Sequence, residues 1–298
     1  MYLIDLTGPW RLSQANQKKT ITAQVPGCVH TDLLAAGKID DPYYRDNENR
    51  LKWIGDTGWK YFRKFDVPAE LLSCDSVLLS CEGLDTLATI RVNGKRVAKT
   101  NNMFRTWEFD VKRQLKSGTN SIEIQFESAT SYVDKQQKKD PIPTWLVPLV
   151  QYHHAQWIRK EPCNFGWDWG PRLTTCGIWR DINIVAFDTA RLSGIQIDQD
   201  HSKRSSVGLE ISASAEVVEK AKLQAAVTVY LKSRKIAQVQ VPFKDRNAKA
   251  RIEIKNPKLW WPNGMAINRF TMSPLIFWMA TAACLIPIQN GSAYAHLN

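Results

Sequence analysis

From Phe270 to Asn298 the chain contains no Asp, Glu, Lys or Arg, although charged residues make up 23% of the whole sequence. So abrupt a change in composition marks residues 271–298 as an uncharged tail foreign to the domain before it. The apolar stretch within it, Leu275 to Ile288, is 14 residues long and contains Pro287. A membrane-spanning helix needs about 20 residues, which excludes a span here and leaves surface association as the membrane alternative. At the other end, Met1-Tyr2-Leu3-Ile4-Asp5 has neither a basic n-region nor a long apolar run. It does not read as a signal peptide. The compartment stays open: cytoplasmic as written, lysosomal or secreted if a leader lies outside the sequence. The six cysteines lack CxxC or zinc-type spacing, so no metal site is expected from them. Signals for long helices are also missing.

The formal net charge is +11. Basic chains invite a nucleic-acid reading. Here Lys and Arg are spread along the sequence and interleaved with acids. The densest run, Lys135 to Lys139, sits in a polar stretch that reads as a loop. A solvated basic surface is the expectation, with no nucleic acid as partner.

What the sequence has in plenty is period-2 alternation bounded by turn residues. Ile122, Ile124 and Phe126 fall on one face of a strand. Thr89 to Val92 and Lys95 to Val97 read as a hairpin, because Asn93-Gly94 suits the two positive-φ positions of its turn. Asp181 to Val185 reads as a closing strand. Thr31 to Ala36 reads as a short helix stopped by Gly37. Strands 208–212, 226–232, 236–241 and 250–255 form a second run. The fold class is therefore all-β. Residues 1–188 form a large β-sandwich and residues 189–270 a smaller immunoglobulin-like one, expected to be incomplete for want of its last strand.

The chain also holds 12 Trp, an unusual number. Trp either fills a core or presents a flat face to a partner. The segment Arg159 to Pro171 concentrates the question, since it contains Trp167-Asp168-Trp169-Gly170-Pro171. A buried strand would tolerate neither the proline nor an unpartnered acid. Two readings stay open. The loop presents indoles to sugar C–H faces and a carboxylate to hydroxyls, or Asp168 caps backbone N–H groups and both Trp belong to the core. Cys163 and Cys176 bracket the segment and could staple it by a disulfide in an oxidising compartment.

Several stretches together carry a resemblance. They are Asp5 to Trp10, Val25 to Leu33, Asn47-Glu48 with Trp53-Ile54, Trp59 to Arg63, and Gly83 to Thr86. Asn102-Met103-Phe104, Trp167 to Pro171 with Gly177-Ile178-Trp179, and Trp260 to Gly264 complete the set. In this order, over residues 1–265, the chain resembles the β-mannosidases of glycoside hydrolase family 2. The resemblance implies a jelly-roll (galactose-binding-like) domain, an immunoglobulin-like domain and then a (β/α)8 barrel. In that family the barrel carries two catalytic glutamates of a retaining mechanism, about 5 Å apart, that releases terminal β-D-mannose without cofactor. By the same match Trp167, Asp168 and Trp169 become substrate-binding residues, and β-mannosides or mannose-terminated oligosaccharides the partners.

The match fades near Ala266, and about 30 further residues cannot form a barrel of roughly 250. The expectation is a non-catalytic front part, inactive alone and without catalytic residues. A stand-alone carbohydrate-binding module and a non-functional gene fragment are the alternatives. Asn47-Glu48 lies among sandwich motifs, so Glu48 is given no catalytic role. His153-His154 reads as a surface pair and His30 as a satisfied structural residue. Trp260-Trp261-Pro262 reads as an interdomain or core device, and Asn290-Gly291-Ser292 as a chance glycosylation motif.

Overall fold

The computed structural model describes residues 1–143, 154–203, 205–218, 221–231, 234–257 and 280–285. The chain divides into two compact units, Tyr2–Ala186 and Phe187–Asn298, with Met1 joined to the second. It is all-β, as the strand periodicity predicts. No helix among the described residues is long and apolar enough to cross a membrane.

The first unit runs β1 (Tyr2–Asp5), β2 (Gly8–Gln14), β3 (Ile21–Val25), α1 (Val29–Ala35), α2 (Asn47–Leu51), β4 (Trp59–Val67) and α3 (Ala69–Ser73). It continues with β5 (Ser76–Cys81), β6 (Leu84–Asp85), β7 (Ala88–Val92), β8 (Lys95–Lys99), β9 (Trp107–Asp110) and β10 (Gly118–Phe126). Then come α4 (Ala129–Lys139), β11 (Gly177–Ile178) and β12 (Ile182–Phe187). A six-stranded sheet, β3-β2-β4-β10-β7-β8, and a four-stranded sheet, β1-β12-β5-β9, contribute to one core. Tyr61, Ile122, Ile124 and Phe126 come from the first sheet, Leu79 and Ile184 from the second. The alternation along β10 works as the sequence implies: Ile122, Ile124 and Phe126 are all fully buried. The β7–β8 hairpin turns on Asn93 (φ 49°) and Gly94 (φ 77°), the left-handed pair that matches strand twist. Asn93 Nδ2 donates to Asn120 Oδ1 at 2.7 Å, which ties that turn to the central strand.

The run Lys135 to Lys139 is not a loop but the end of α4. Ser128 caps the helix, accepting from the Ser131 N–H at 3.1 Å. Ala129 and Val133 bury an i, i+4 face against Leu87, Ile158 and Phe165. The lysines are exposed, while Gln137 follows Val133 on the buried side and accepts from the Trp157 indole N–H at 2.6 Å. Their polarity conceals the short apolar stripe that makes the helix. This small core includes Phe165, two residues before the Trp-Asp-Trp segment.

The second unit is a separate sandwich of β13 (Ala190–Asp200), β14 (Ser206–Val217), β15 (Gln224–Leu231), β16 (Arg234–Pro242), β17 (Asn247–Lys255) and β18 (Ala280–Leu285). Its sheets are β13-β14-β17 and β16-β15-β18. Val207, Leu209 and Ile211 of β14, Ile252 and Ile254 of β17, and Val227 and Val229 of β15 share its core. Strand β13 escapes the sequence pattern because a register shift between Leu192 and Gly194 breaks its alternation. Strand β18 lies inside the uncharged tail, antiparallel to β15, with Ala225 opposite Cys284.

Candidate functional site

The Trp-Asp-Trp segment is an excursion of the first unit that leaves near Lys160 and re-enters at β11. Both ends are fastened. At the outgoing end, the Met103 N–H donates to the Arg159 carbonyl at 3.0 Å. The Glu161 N–H points at Met103 Sδ, 3.1 Å away. Between them Lys160 turns inward, and its ammonium meets Asp85 Oδ2 at 2.5 Å, with side chains only 1% and 3% exposed. At the incoming end, the Arg172 N–H donates to Glu48 Oε2 at 3.1 Å. Gly177 pairs with Asp85 across β11 and β6. A Cβ on Gly177 would lie 2.6 Å from the Gly27 carbonyl oxygen, so only glycine fits this approach.

Between the fastened ends the chain first makes a short 3-10 turn, Pro162–Phe165, whose Phe165 plugs the small core under α4. Gly166 then adopts φ 89°, a left-handed conformation that reverses the chain with little steric penalty. Trp167 and Gly170 close a tight turn by two mutual backbone bonds, the Trp167 N–H to the Gly170 carbonyl at 3.1 Å and the return bond at 3.4 Å. The side chains between point outward. Trp167 is 38% and Trp169 73% exposed, and Asp168 is exposed between them. Its carboxylate makes no hydrogen bond or ion pair among the described residues. Two indole faces and an uncommitted acid thus stand on one turn.

Beside the neck, the Trp179 indole N–H donates to the Met103 carbonyl at 3.1 Å. Arg180 stacks over that indole at 4.2 Å. Gly83 is needed there, since an added Cβ would lie 2.5 Å from Trp179 Nε1. Phe104, next to the Met103 that grips the neck, is left exposed.

The bracketing cysteines do not form the staple in this structure. Cys163 is an exposed free thiol and Cys176 a buried one. Burial, then the neighbouring Asp85 carboxylate, push the Cys176 thiol well above its ordinary range. Beneath lies Asp32, which accepts from the Gln24 N–H at 2.8 Å and from the Tyr61 hydroxyl at 2.9 Å.

His30 is not the satisfied residue expected. Its Nδ1 is buried with no partner. Burial first, and the Lys160 charge second, depress its pKa to about 4. Among the described residues three other buried polar atoms share that state, including Asn164 Oδ1 and Thr175 Oγ1 within the excursion itself. His154 is paired: its Nδ1 lies 2.7 Å from Asp134 Oδ1. His153, Trp260-Trp261-Pro262 and Asn290-Gly291-Ser292 lie outside the described residues. Asn47 and Glu48 sit on α2, where Glu48 holds the excursion. Sequence reasoning missed Asp85, Lys160 and Met103 as holders, since the contacts join residues far apart in the chain.

Residues 10–180 match the family of glycosyl hydrolase 2 galactose-binding domain-like sequences. The chain belongs to that family. It is 34% identical over 272 residues to the β-mannosidase of Mus musculus, covering 87% of this chain and 31% of that protein. To the β-mannosidase of Capra hircus it is 32% identical over 314 residues, covering 96% and 36%. The crystal structure of the β-D-mannosidase from Dictyoglomus thermophilum superimposes with a TM-score of 0.78 at 33% identity, over 89% of this chain and 32% of that one. The chain thus spans about a third of the length of these relatives.

Proposed function

We propose that this chain acts as the sugar-gripping front part of a β-mannosidase-type glycoside hydrolase. Trp167, Asp168 and Trp169 bind the terminal, non-reducing β-D-mannose of an oligosaccharide. The observation that carries this reading is the outward turn with an uncommitted carboxylate between two exposed indoles. An indole face packs against the C–H groups of a pyranose. A carboxylate accepts from sugar hydroxyls in charge-assisted bonds. Had Asp168 capped backbone groups and both Trp filled the core, the turn would offer a ligand nothing. Relatives that match most of the chain are β-mannosidases, which favours a mannoside over other sugars. Hydrolysis itself is assigned to the part of the relatives that the match leaves uncovered. The residues here orient the sugar and take no part in bond cleavage.

Titrating the chain with β-1,4-mannobiose while following Trp fluorescence tests this. A saturable response with a millimolar dissociation constant, about −4 kcal/mol, is expected of a one-sided site. Asp168→Ala should weaken it roughly tenfold or more, the cost of one charge-assisted bond. A flat titration, or one unaffected by Asp168→Ala, contradicts the proposal. Micromolar affinity would instead favour a stand-alone carbohydrate-binding module.

A further inference from the structure

Asp85 touches both ends of the excursion that carries the Trp-Asp-Trp turn. Its backbone pairs with Gly177, where the chain returns to the sandwich. Its side chain meets Lys160, where the chain departs. The carboxylate is fully engaged: Oδ2 accepts from the Lys160 ammonium and Oδ1 from the Thr86 hydroxyl. The neck of the loop is therefore closed at one residue, by a backbone ladder on one side and an ion pair on the other. That is the place where a disulfide between Cys163 and Cys176 would otherwise act, and both thiols are free.

Stability alone is a poor reason for such a pair. Desolvating an ammonium and a carboxylate costs about as much as their attraction returns, and an apolar pair of similar volume often serves the fold equally well. What an ion pair supplies that an apolar pair does not is directionality, because a buried ammonium left without its carboxylate is costly. The contact ties Lys160 to Asp85 seven residues before Trp167. The Met103 contacts to Arg159 and Glu161 hold the same point from the other side.

We infer that Asp85 and Lys160 are positioning residues, which fix the neck of the 161–176 loop so that the Trp167-Asp168-Trp169 turn is held ready for a saccharide. The inference deepens the sugar-binding reading and depends on it for the purpose of the device, not for its existence. Neither residue touches the sugar. The pair selects one loop conformation from the many that a Gly-punctuated excursion could adopt, which lowers the ordering cost of binding.

Hydrogen exchange on the 298-residue chain tests it, read as the exchange of peptides covering 161–172 relative to peptides covering β10. Normalising to β10 separates local loosening from global loss of stability. The set is wild type, Asp85→Asn, Lys160→Met and the apolar double variant Asp85→Leu with Lys160→Met. Thermal melts run alongside. The single variants should melt lower. The double variant should recover much of the melting temperature while its loop-to-core exchange ratio stays at least tenfold above wild type. A ratio that returns to wild type in the double variant would make the pair structural only, and overturn the inference. So would a ratio unchanged in every variant that folds. Asp85→Asn keeps the volume and an acceptor oxygen, so the ratio remains readable should the double variant fail to fold. Mannobiose titration of the same proteins keeps the two proposals apart. A wild-type chain that ignores mannobiose while its variants loosen the loop would sink the sugar reading and leave the pin intact.

Discussion

His30 is a buried imidazole with one ring nitrogen unpartnered and an ammonium nearby. Both circumstances disfavour its cation. With the folded pKa near 4 against 6.5 in the unfolded chain, the unfolded state binds the proton first as pH falls. Stability from this residue is complete above about pH 6.5 and drains away as pH drops towards 4, by roughly 3 kcal/mol at most. Asp32 works in the opposite sense. Burial raises its pKa, so protonation in the carboxylate range relieves a cost and offsets part of the loss. Urea midpoints measured between pH 7 and 4.5 should fall, and His30→Gln should flatten the slope. An unchanged slope in that variant would show that other groups govern the acid limb. At this scale the outward Trp-Asp-Trp turn was visible in the sequence only as one of two options. Proline and an acid exclude a buried strand, but composition does not say which way an indole faces. Lys160 gave no warning, because its partner lies 75 positions away. Nor did His30, since the missing partner of a side chain is a property of packing.

Elements whose signal is local were legible. The Asn93-Gly94 turn, the alternation of β10 and the short α1 all follow from neighbouring residues. Helix α4 was hidden because only Ala129, Thr130 and Val133 of its 11 residues are buried and the rest are mostly polar. Its register depends on Ser128, which donates to the Gly55 carbonyl at 2.8 Å while accepting from the Ser131 N–H. Ser128→Ala removes a cap and one of two hydroxyl donors to the Gly55 carbonyl, which Thr130 still reaches at 3.0 Å, at a cost of about 1 kcal/mol. In a domain of this size that lowers the melting temperature by a few degrees. Because α4 packs on Phe165, the loss should be largest in that small core. A melt identical to wild type would mean that the helix is held by packing alone. Strand β13 was missed for the converse reason: its bulge breaks the period on which strand recognition rests.

At the scale of the whole molecule, each unit buries its own apolar set. The sugar-binding claim belongs to the first unit alone, which carries the turn, its neck and both fastenings. Indole N–H resonances offer a direct view, because all 12 Trp report separately and span both units. A nitrogen-15 spectrum of the chain titrated with β-1,4-mannobiose, assigned with Trp167→Phe and Trp169→Phe, is the measurement that bears most directly on the account. It should show saturable shifts concentrated at Trp167 and Trp169, with the other indoles nearly still. Shifts centred elsewhere, or none at millimolar sugar, would contradict it.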